Sequence, residues 1–398
     1  MTTGIYISVP FCRSKCSYCN FASGVFSRER MQKYADRVCT DVAMAEELAE
    51  EIGGVLDRQV DTIYLGGGTP STLEPQQLAQ LFAAVRGHFN VLPSAEITVE
   101  CAPGTISDAM LETLLQCGVN RVSLGVQSFI DLEARAVGRL HDRKTTLDDI
   151  VQLRAAGVSN INVDLIAGLP HQTDASWDES VATTIETGTP HVSVYMLEVD
   201  EDSRLGRELI AGGTRYHAHH VPDDALTAEL YSRACERLNV AGIAQYEISN
   251  FACKGFESKH NLKYWTRQPY LGFGLDAHSM LPAKRQHSGN PNSAEAVRFS
   301  TADELEVFLA ASKNHSVTSV TCQQAIEEEI FLGLRLNQGI DVREMIEHAE
   351  NETRPAIQDN IKELTEAGLL ENGGSRIRLT HRGRLLSNDV FARFVELK

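Results

Sequence analysis

A chain of 398 residues with 42% hydrophobic content is long enough for two or three globular units. Its net charge of -17 argues against a nucleic-acid partner, because phosphate binding needs a basic footprint. No run approaches the roughly 20 apolar residues of a membrane span. The nine cysteines do not form a secreted disulfide framework, and no signal-peptide pattern precedes the first strand, so the chain reads as cytoplasmic.

The first strand, Ile5 to Val9, runs through Pro10 into Cys12, Cys16 and Cys19, a CxxxCxxC loop. Clustered thiolates select zinc or an iron–sulfur cluster, and a structural zinc site is normally closed by a fourth side chain. Three ligands leave one position open for a small molecule. An amphipathic stretch from Arg28 to Glu51 follows, then the strand Asp61–Leu65 and the turn Gly66-Gly67-Gly68-Thr69-Pro70. Alternating patterns continue: helix Pro75–His88, strand Glu96–Glu100, helix Ser107–Gln116, strand Arg121–Gln127, helix Thr145–Ala156, strand Asn160–Ile166, helix Ser176–Thr187 and strand His191–Glu198. Ser107 and Ser176 occupy expected N-cap positions. Six such units imply parallel strands in a complete or partial (β/α) barrel, with a doubly wound open sheet as the alternative.

Cys12, the glycine turn, Glu100, Gln127, Asp164 and Glu198 fall at or just beyond strand C-termini, the face that carries active sites in barrels. A single such acidic residue is as readily a helix cap; six polar features in phase are harder to explain so. Residues 1–240 form the expected barrel and 241–317 an extension. His217, His219 and His220 form a loop cluster that either binds metal or is simply solvated. A helix from Asp223 to Val240 precedes a strand expected over Ala244–Phe251, and 256–300 show few periodic runs. Residues 318–398 read as helices at 326–336, 341–349 and 354–367, strands at 369–370 and 376–379, and a helix from 381 onward. This resembles a winged helix, but its 14 acidic against 10 basic residues from Val320 to Lys398 favour packing or protein docking over DNA.

Tyr6-x-x-x-Pro10-Phe11-Cys12-x-x-x-Cys16-x-Tyr18-Cys19, followed by Leu65-Gly-Gly-Gly-Thr-Pro-Ser71, resembles the radical S-adenosylmethionine (SAM) superfamily. Gly125-Val-Gln-Ser-Phe129, Asp164-Leu-Ile-Ala-Gly-Leu-Pro170 and the C-terminal pattern narrow it to one group. That group contains the oxygen-independent coproporphyrinogen III dehydrogenases and the HemW-type heme chaperones. The resemblance implies a partial (β/α)6 TIM-like barrel with a mainly helical, winged-helix-like C-terminal domain. It implies a [4Fe-4S] cluster on Cys12, Cys16 and Cys19, with SAM on the open iron, where an electron from the reduced cluster breaks the sulfonium bond.

By the same resemblance Tyr18 packs on adenine and Gly67, Gly68 and Thr69 contact the methionine end. Glu100, Gln127 and Asp164 bind ribose or methionine, Arg139 pairs with the carboxylate, and Tyr6 and Glu198 line the pocket; a strand tyrosine such as Tyr6 is also commonly core. The glycines are read as letting backbone approach the ligand.

Two features depart from the dehydrogenases: Phe21 replaces their fourth cysteine, and only 11 residues precede Cys12. Ser8 also stands where both groups usually have histidine. His260-Asn261-x-x-Tyr264-Trp265 matches the HNxxYW motif of the chaperones. It marks His260 as a heme ligand or, alternatively, a framework residue, with His278 competing for the ligand role. The favoured expectation is a heme chaperone that holds cluster, SAM and heme and delivers heme to a membrane-bound respiratory hemoprotein. Membrane association would be peripheral, at the inner face, and a homodimer is plausible by resemblance. The alternative is oxidative decarboxylation of coproporphyrinogen III. Cys39, Cys101, Cys117, Cys235, Cys253 and Cys322 read as reduced thiols.

Overall fold

In the computed structural model, residues 1–284, 294–310, 315–348 and 353–395 are described. Strands β1 (Thr3–Val9), β2 (Gln59–Gly67), β3 (Asn90–Cys101), β4 (Arg121–Gln127), β5 (Asn160–Ala167) and β6 (His191–Met196) are parallel neighbours in chain order. An order that never reverses excludes the doubly wound alternative, whose sheet has a switch point. The sheet stays open. Beyond β6 lie β8 (Asn250–Ala252) and β7 (Ala244–Gln245), and beyond β1 lie β9 (Tyr270–Phe273), β10 (His278–Pro282), β11 (Ala294–Ser300) and β12 (Ser316–Thr321). The barrel is partial.

Each parallel strand alternates with period two. Ile5, Ile7, Val9, Ile63, Leu65, Val99, Val122, Leu124, Ile161, Val163, Val192 and Val194 are buried in the main core. Helices α1 (Arg28–Ala43), α2 (Ala45–Glu51), α3 (Pro75–His88), α4 (Asp108–Gln116), α6 (Arg143–Ala155), α7 (Asp174–Glu186) and α9 (Asp224–Val240) join that core, and α5 (Asp131–Ala136) and α8 (Arg204–Ile210) lie outside it. The intervening residues, among them Tyr6, Tyr64, Glu100, Ser123, Asp164 and Ser193, give the inner face a polar lining.

Several boundaries differ from the sequence expectations for local reasons. The Arg28–Glu51 helix breaks at Met44, which lets Ala45 and Ala49 turn inward. Helix α7 is capped by Thr173, and Ser176 is the reciprocal partner of that capping box. The 244–251 strand divides into β7 and β8, because the Glu247 carboxylate accepts hydrogen bonds from Ser249 N and Asn250 Nδ2 and turns the chain. The 256–300 stretch holds α10 (Lys259–Trp265) as well as β9 and β10.

Helix α10 lies inside the sheet at the N-terminal ends of β1 to β3. A Cβ on Gly4 would stand 2.8 Å from Lys263 Cδ and 2.9 Å from Thr62 Oγ1, so a larger residue would have to displace them. Lys263 pairs with Asp61 at 2.8 Å, and Glu96 accepts the His260 backbone N–H at 3.1 Å. The helix plugs the floor of the barrel.

After α11 (Leu305–Ala310), the C-terminal region comprises α12 (Cys322–Leu334), β13 (Ile340–Asp341), α13 (Val342–His348), α14 (Arg354–Glu366), β14 (Leu370–Asn372), β15 (Arg376–Leu379), α15 (His381–Leu385) and α16 (Ser387–Ala392). Its sheet has the order β13-β15-β14, one strand more than expected. The expected terminal helix is two helices broken at Leu386, and its last three residues lie outside the described ones, as does Ala349. Ile248, from the barrel's β7–β8 turn, joins the apolar core of this region.

Candidate functional site

The cysteine loop sits beyond the C-terminal end of β1. Gly68 N donates to Val9 O at 2.9 Å and Thr69 N to Phe11 O at 2.7 Å, so the glycine turn after β2 docks on the loop. A Cβ on Gly68 would lie 2.6 Å from Val9 O, and one on Gly66 would lie 2.8 Å from the Glu100 carboxyl. Close approach of chain to chain is therefore one requirement for glycine at these positions. Gly67 has φ +97°, the left-handed region that favours glycine.

All three loop cysteines are free thiols. Cys12 Sγ accepts from Thr69 Oγ1 at 3.8 Å, Cys16 Sγ accepts from Arg139 Nη1 at 3.6 Å, and Cys19 Sγ lies 3.8 Å from Ser23 Oγ. Burial, opposed by its hydroxyl partners, raises the Cys12 thiol. Among the described residues no three His, Cys, Asp or Glu side chains are grouped to hold one metal ion. A cluster that gives each cysteine its own iron does not ask for that grouping. Beside the loop opens a cavity of about 280 Å³ lined by Arg13, Cys16, Thr69, Gly104, Arg139 and His141 among others.

Glu100, the penultimate residue of β3, accepts a 2.7 Å hydrogen bond from Tyr64 Oη. Burial first, with a further push from Asp164, raises its carboxyl to about 7. Asp164 lies within β5 and accepts from Ser123 Oγ at 3.1 Å and Asn162 Nδ2 at 2.7 Å. Burial raises it too, against those hydrogen bonds. Gln127 is buried with φ +70°, and its Oε1 has no partner among the described residues. A strained, unpaired amide at a strand end is a place for a polar ligand. Arg139 donates to Gly125 O, and its buried Nε has no partner among the described residues. Tyr18 packs on Val137, Ile166, Leu169 and Leu197, an apolar slot beside the loop.

The structure thus gathers Tyr6, Tyr18, Gly67, Gly68, Thr69, Glu100, Gln127, Arg139 and Asp164 around the loop and the inner face. Glu198, the remaining expected pocket residue, is exposed two residues beyond the end of β6 at Met196. The inward position on that strand is Tyr195, whose hydroxyl burial raises, with Asp164 adding to the shift. Tyr195, Tyr64 and the Ser123–Asn162–Ser193 network were not singled out from sequence. The signal for them was the polar half of the period-two alternation.

His260 is also corrected. It is 1% exposed, its Nδ1 lies 2.9 Å from Thr62 Oγ1 and its Nε2 lies 2.8 Å from Tyr264 Oη. Its ring stacks on Tyr64 at 5.3 Å, and burial, then Lys263, lowers its pKa to about 3. Neither nitrogen is open to a ligand, so His260 is a framework residue of the plug. His278 is exposed, 3.8 Å from Asp276.

Residues 6–183 match the model of the radical SAM superfamily, and residues 320–386 match that of the HemN C-terminal domain. The chain is 34% identical over 393 residues to the heme chaperone HemW of Bacillus subtilis, covering 98% of each protein. It is 33% identical to the heme chaperone HemW of Lactococcus lactis, covering 98% of this chain and 96% of that protein. Its fold is similar to that of coproporphyrinogen III oxidase HemN from Escherichia coli, a radical SAM enzyme. The TM-score is 0.82 at 21% identity, over 99% of this chain and 90% of the other.

Proposed function

Because the chain belongs to the HemW-type group of the radical SAM superfamily, we propose that it is a heme chaperone binding a [4Fe-4S] cluster, SAM and heme. It hands heme to a respiratory hemoprotein at the membrane. The observation that carries the cofactor part is the cysteine loop: three free thiols, each beside a polar partner, docked on a glycine turn. When bound, the cluster supplies an electron to SAM.

The chain's own residues do the rest. Arg139 places its cation beside Cys16 and keeps a buried Nε without a partner among the described residues. Gln127 offers an unpaired carbonyl to a donor such as an ammonium or hydroxyl. Glu100 and Asp164 present acceptors for hydroxyl groups, and Tyr18 gives a flat wall to a base. Phe21, 62% exposed, occupies the position of the dehydrogenases' fourth cysteine and cannot supply a thiolate. This supports the chaperone reading over decarboxylation. No helix among the described residues is long and apolar enough to cross a membrane, in keeping with delivery from the membrane surface.

The test is an anaerobically reconstituted sample split in two. One half is titrated with hemin; the other receives coproporphyrinogen III, SAM and a reductant. Saturable hemin binding without protoporphyrinogen is expected, and catalytic formation of protoporphyrinogen would overturn the assignment.

A further inference from the structure

The HNxxYW histidine is closed to heme, so a heme site must use other ligands. Four histidines meet at the rim on the cysteine side of the barrel. His171 follows the Gly168-Leu169-Pro170 turn after β5; His217, His219 and His220 lie in the 3-10 segment Arg215–His220 after α8. His171 Nε2 is 3.1 Å from His217 Nδ1, and the His171 N–H donates to His220 O at 2.9 Å. The rings of His171 and His220 are 4.1 Å apart, and those of His219 and His220 are 4.0 Å apart.

This arrangement is held against backbone preference. His171, Tyr216 and His217 have φ of +69°, +55° and +60°. Left-handed non-glycine residues are strained and concentrate at functional positions. The rings of His219 and His220 form no hydrogen bond among the described residues, so their nitrogens are open. Desolvation, then the neighbouring imidazoles, lowers His171 and His220, which favours the neutral, ligating form.

The surroundings suit a flat, apolar, doubly anionic ligand. The Tyr216 ring carries the Arg204 guanidinium at 5.3 Å and that of Arg215 at 5.5 Å. Val199 and Ile210, 52% and 65% exposed, supply apolar surface on the adjoining segments. The group is also tied to the cysteine loop: Leu205 N donates to Ser17 O at 2.8 Å, and Arg204 donates to Lys15 O. A free metal ion is less well served, since no three of these side chains converge on one point; heme iron needs only one or two axial nitrogens.

We propose that the His219–His220 pair supplies the axial nitrogen to heme iron at this exposed rim, with Arg215 facing a propionate. The proposal rests on the heme-chaperone reading and names its binding site. An exposed ligand pair suits a protein that must release its heme.

The test titrates hemin into wild type, His219→Ala/His220→Ala, the size-conserving His219→Gln/His220→Gln, and His260→Gln, reading the Soret band. Metal-free protoporphyrin IX is the control. Both rim double variants should bind hemin about tenfold or more weakly with a shifted Soret band. Their affinity for the metal-free porphyrin and the iron content of the reconstituted cluster should not change. His260→Gln should keep the wild-type spectrum. Wild-type hemin affinity and spectrum in the rim variants would overturn this site while leaving the chaperone reading intact. A wild-type protein that binds no hemin would overturn both.

Discussion

Glu100 shows how single residues carry the chemistry of this barrel. Burial lifts its carboxyl from the usual 4.5 to about 7 while it accepts the Tyr64 hydroxyl. A raised folded-state value means that folding favours the protonated acid. Its contribution to stability is full below the unfolded value and is lost as pH rises through about 7. The ligand-free protein should therefore lose thermal stability between about pH 4.5 and 7 in part through this residue. Glu100→Gln should flatten that slope, as read from melting temperatures across the range; an unchanged slope would contradict the raised value. Cys16→Ser should abolish four-iron incorporation on anaerobic reconstitution, measured as iron and sulfide per chain, and full iron content would contradict the ligand assignment.

Much of this residue-level picture was legible beforehand because the motifs are local. The three cysteines, the glycine turn and the strand-end Glu100 and Gln127 are dictated by short stretches of chain. The strand expected to run from His191 to Glu198 was misjudged at its end, since β6 stops at Met196. Tyr195 takes the inward place.

Elements explain the second misjudgement. His260 sits on a helix whose role depends on where it docks, and a seven-residue helix in a stretch of weak periodicity carries no sign of its partner. That partner is the space over Gly4 and Thr62, on the paired strands β1 and β2, and only the assembled sheet reveals it. Lys263, 3% exposed at its side chain, ties the plug to Asp61 at 2.8 Å and to Thr2 O at 3.1 Å. Removing one partner of a buried pair costs about 3–5 kcal/mol. Asp61 is 32% exposed, which puts Lys263→Ala below that range, at about 2–3 kcal/mol in urea unfolding. A change under about 0.5 kcal/mol would show that the plug is not held this way. The period-two alternation made the strands readable, whereas β7 and β8 were merged because a buried Glu247 turn interrupts an otherwise strand-like run.

At the scale of the whole molecule, the β7–β8 turn joins barrel to C-terminal region. Ile248 enters the second core, and Asn337 Nδ2 donates to Gln245 O at 2.6 Å. Arg335 lies 3.7 Å from the fully buried Glu247, and its guanidinium sits 4.2 Å from the Trp265 ring on the plug. The seam thus reaches the floor of the barrel, on the side away from the cysteine loop. Arg335→Ala leaves Glu247 buried without its cation and should lower stability by about 3 kcal/mol. Limited proteolysis should then cut between the two regions at lower denaturant than in wild type; an identical cleavage profile would argue that the seam does not couple them. Helices α12 to α14 and their small sheet share one apolar core.

The central claim is that this radical SAM barrel carries heme to an acceptor. It is tested most directly by mixing the hemin-loaded, cluster-reconstituted protein with membranes that contain a heme-free respiratory cytochrome. The reduced-minus-oxidised cytochrome spectrum should grow as the Soret band of the loaded protein declines, faster than with an equal concentration of free hemin. Heme that stays on the protein, or reaches the cytochrome no faster than free hemin does, would contradict the account.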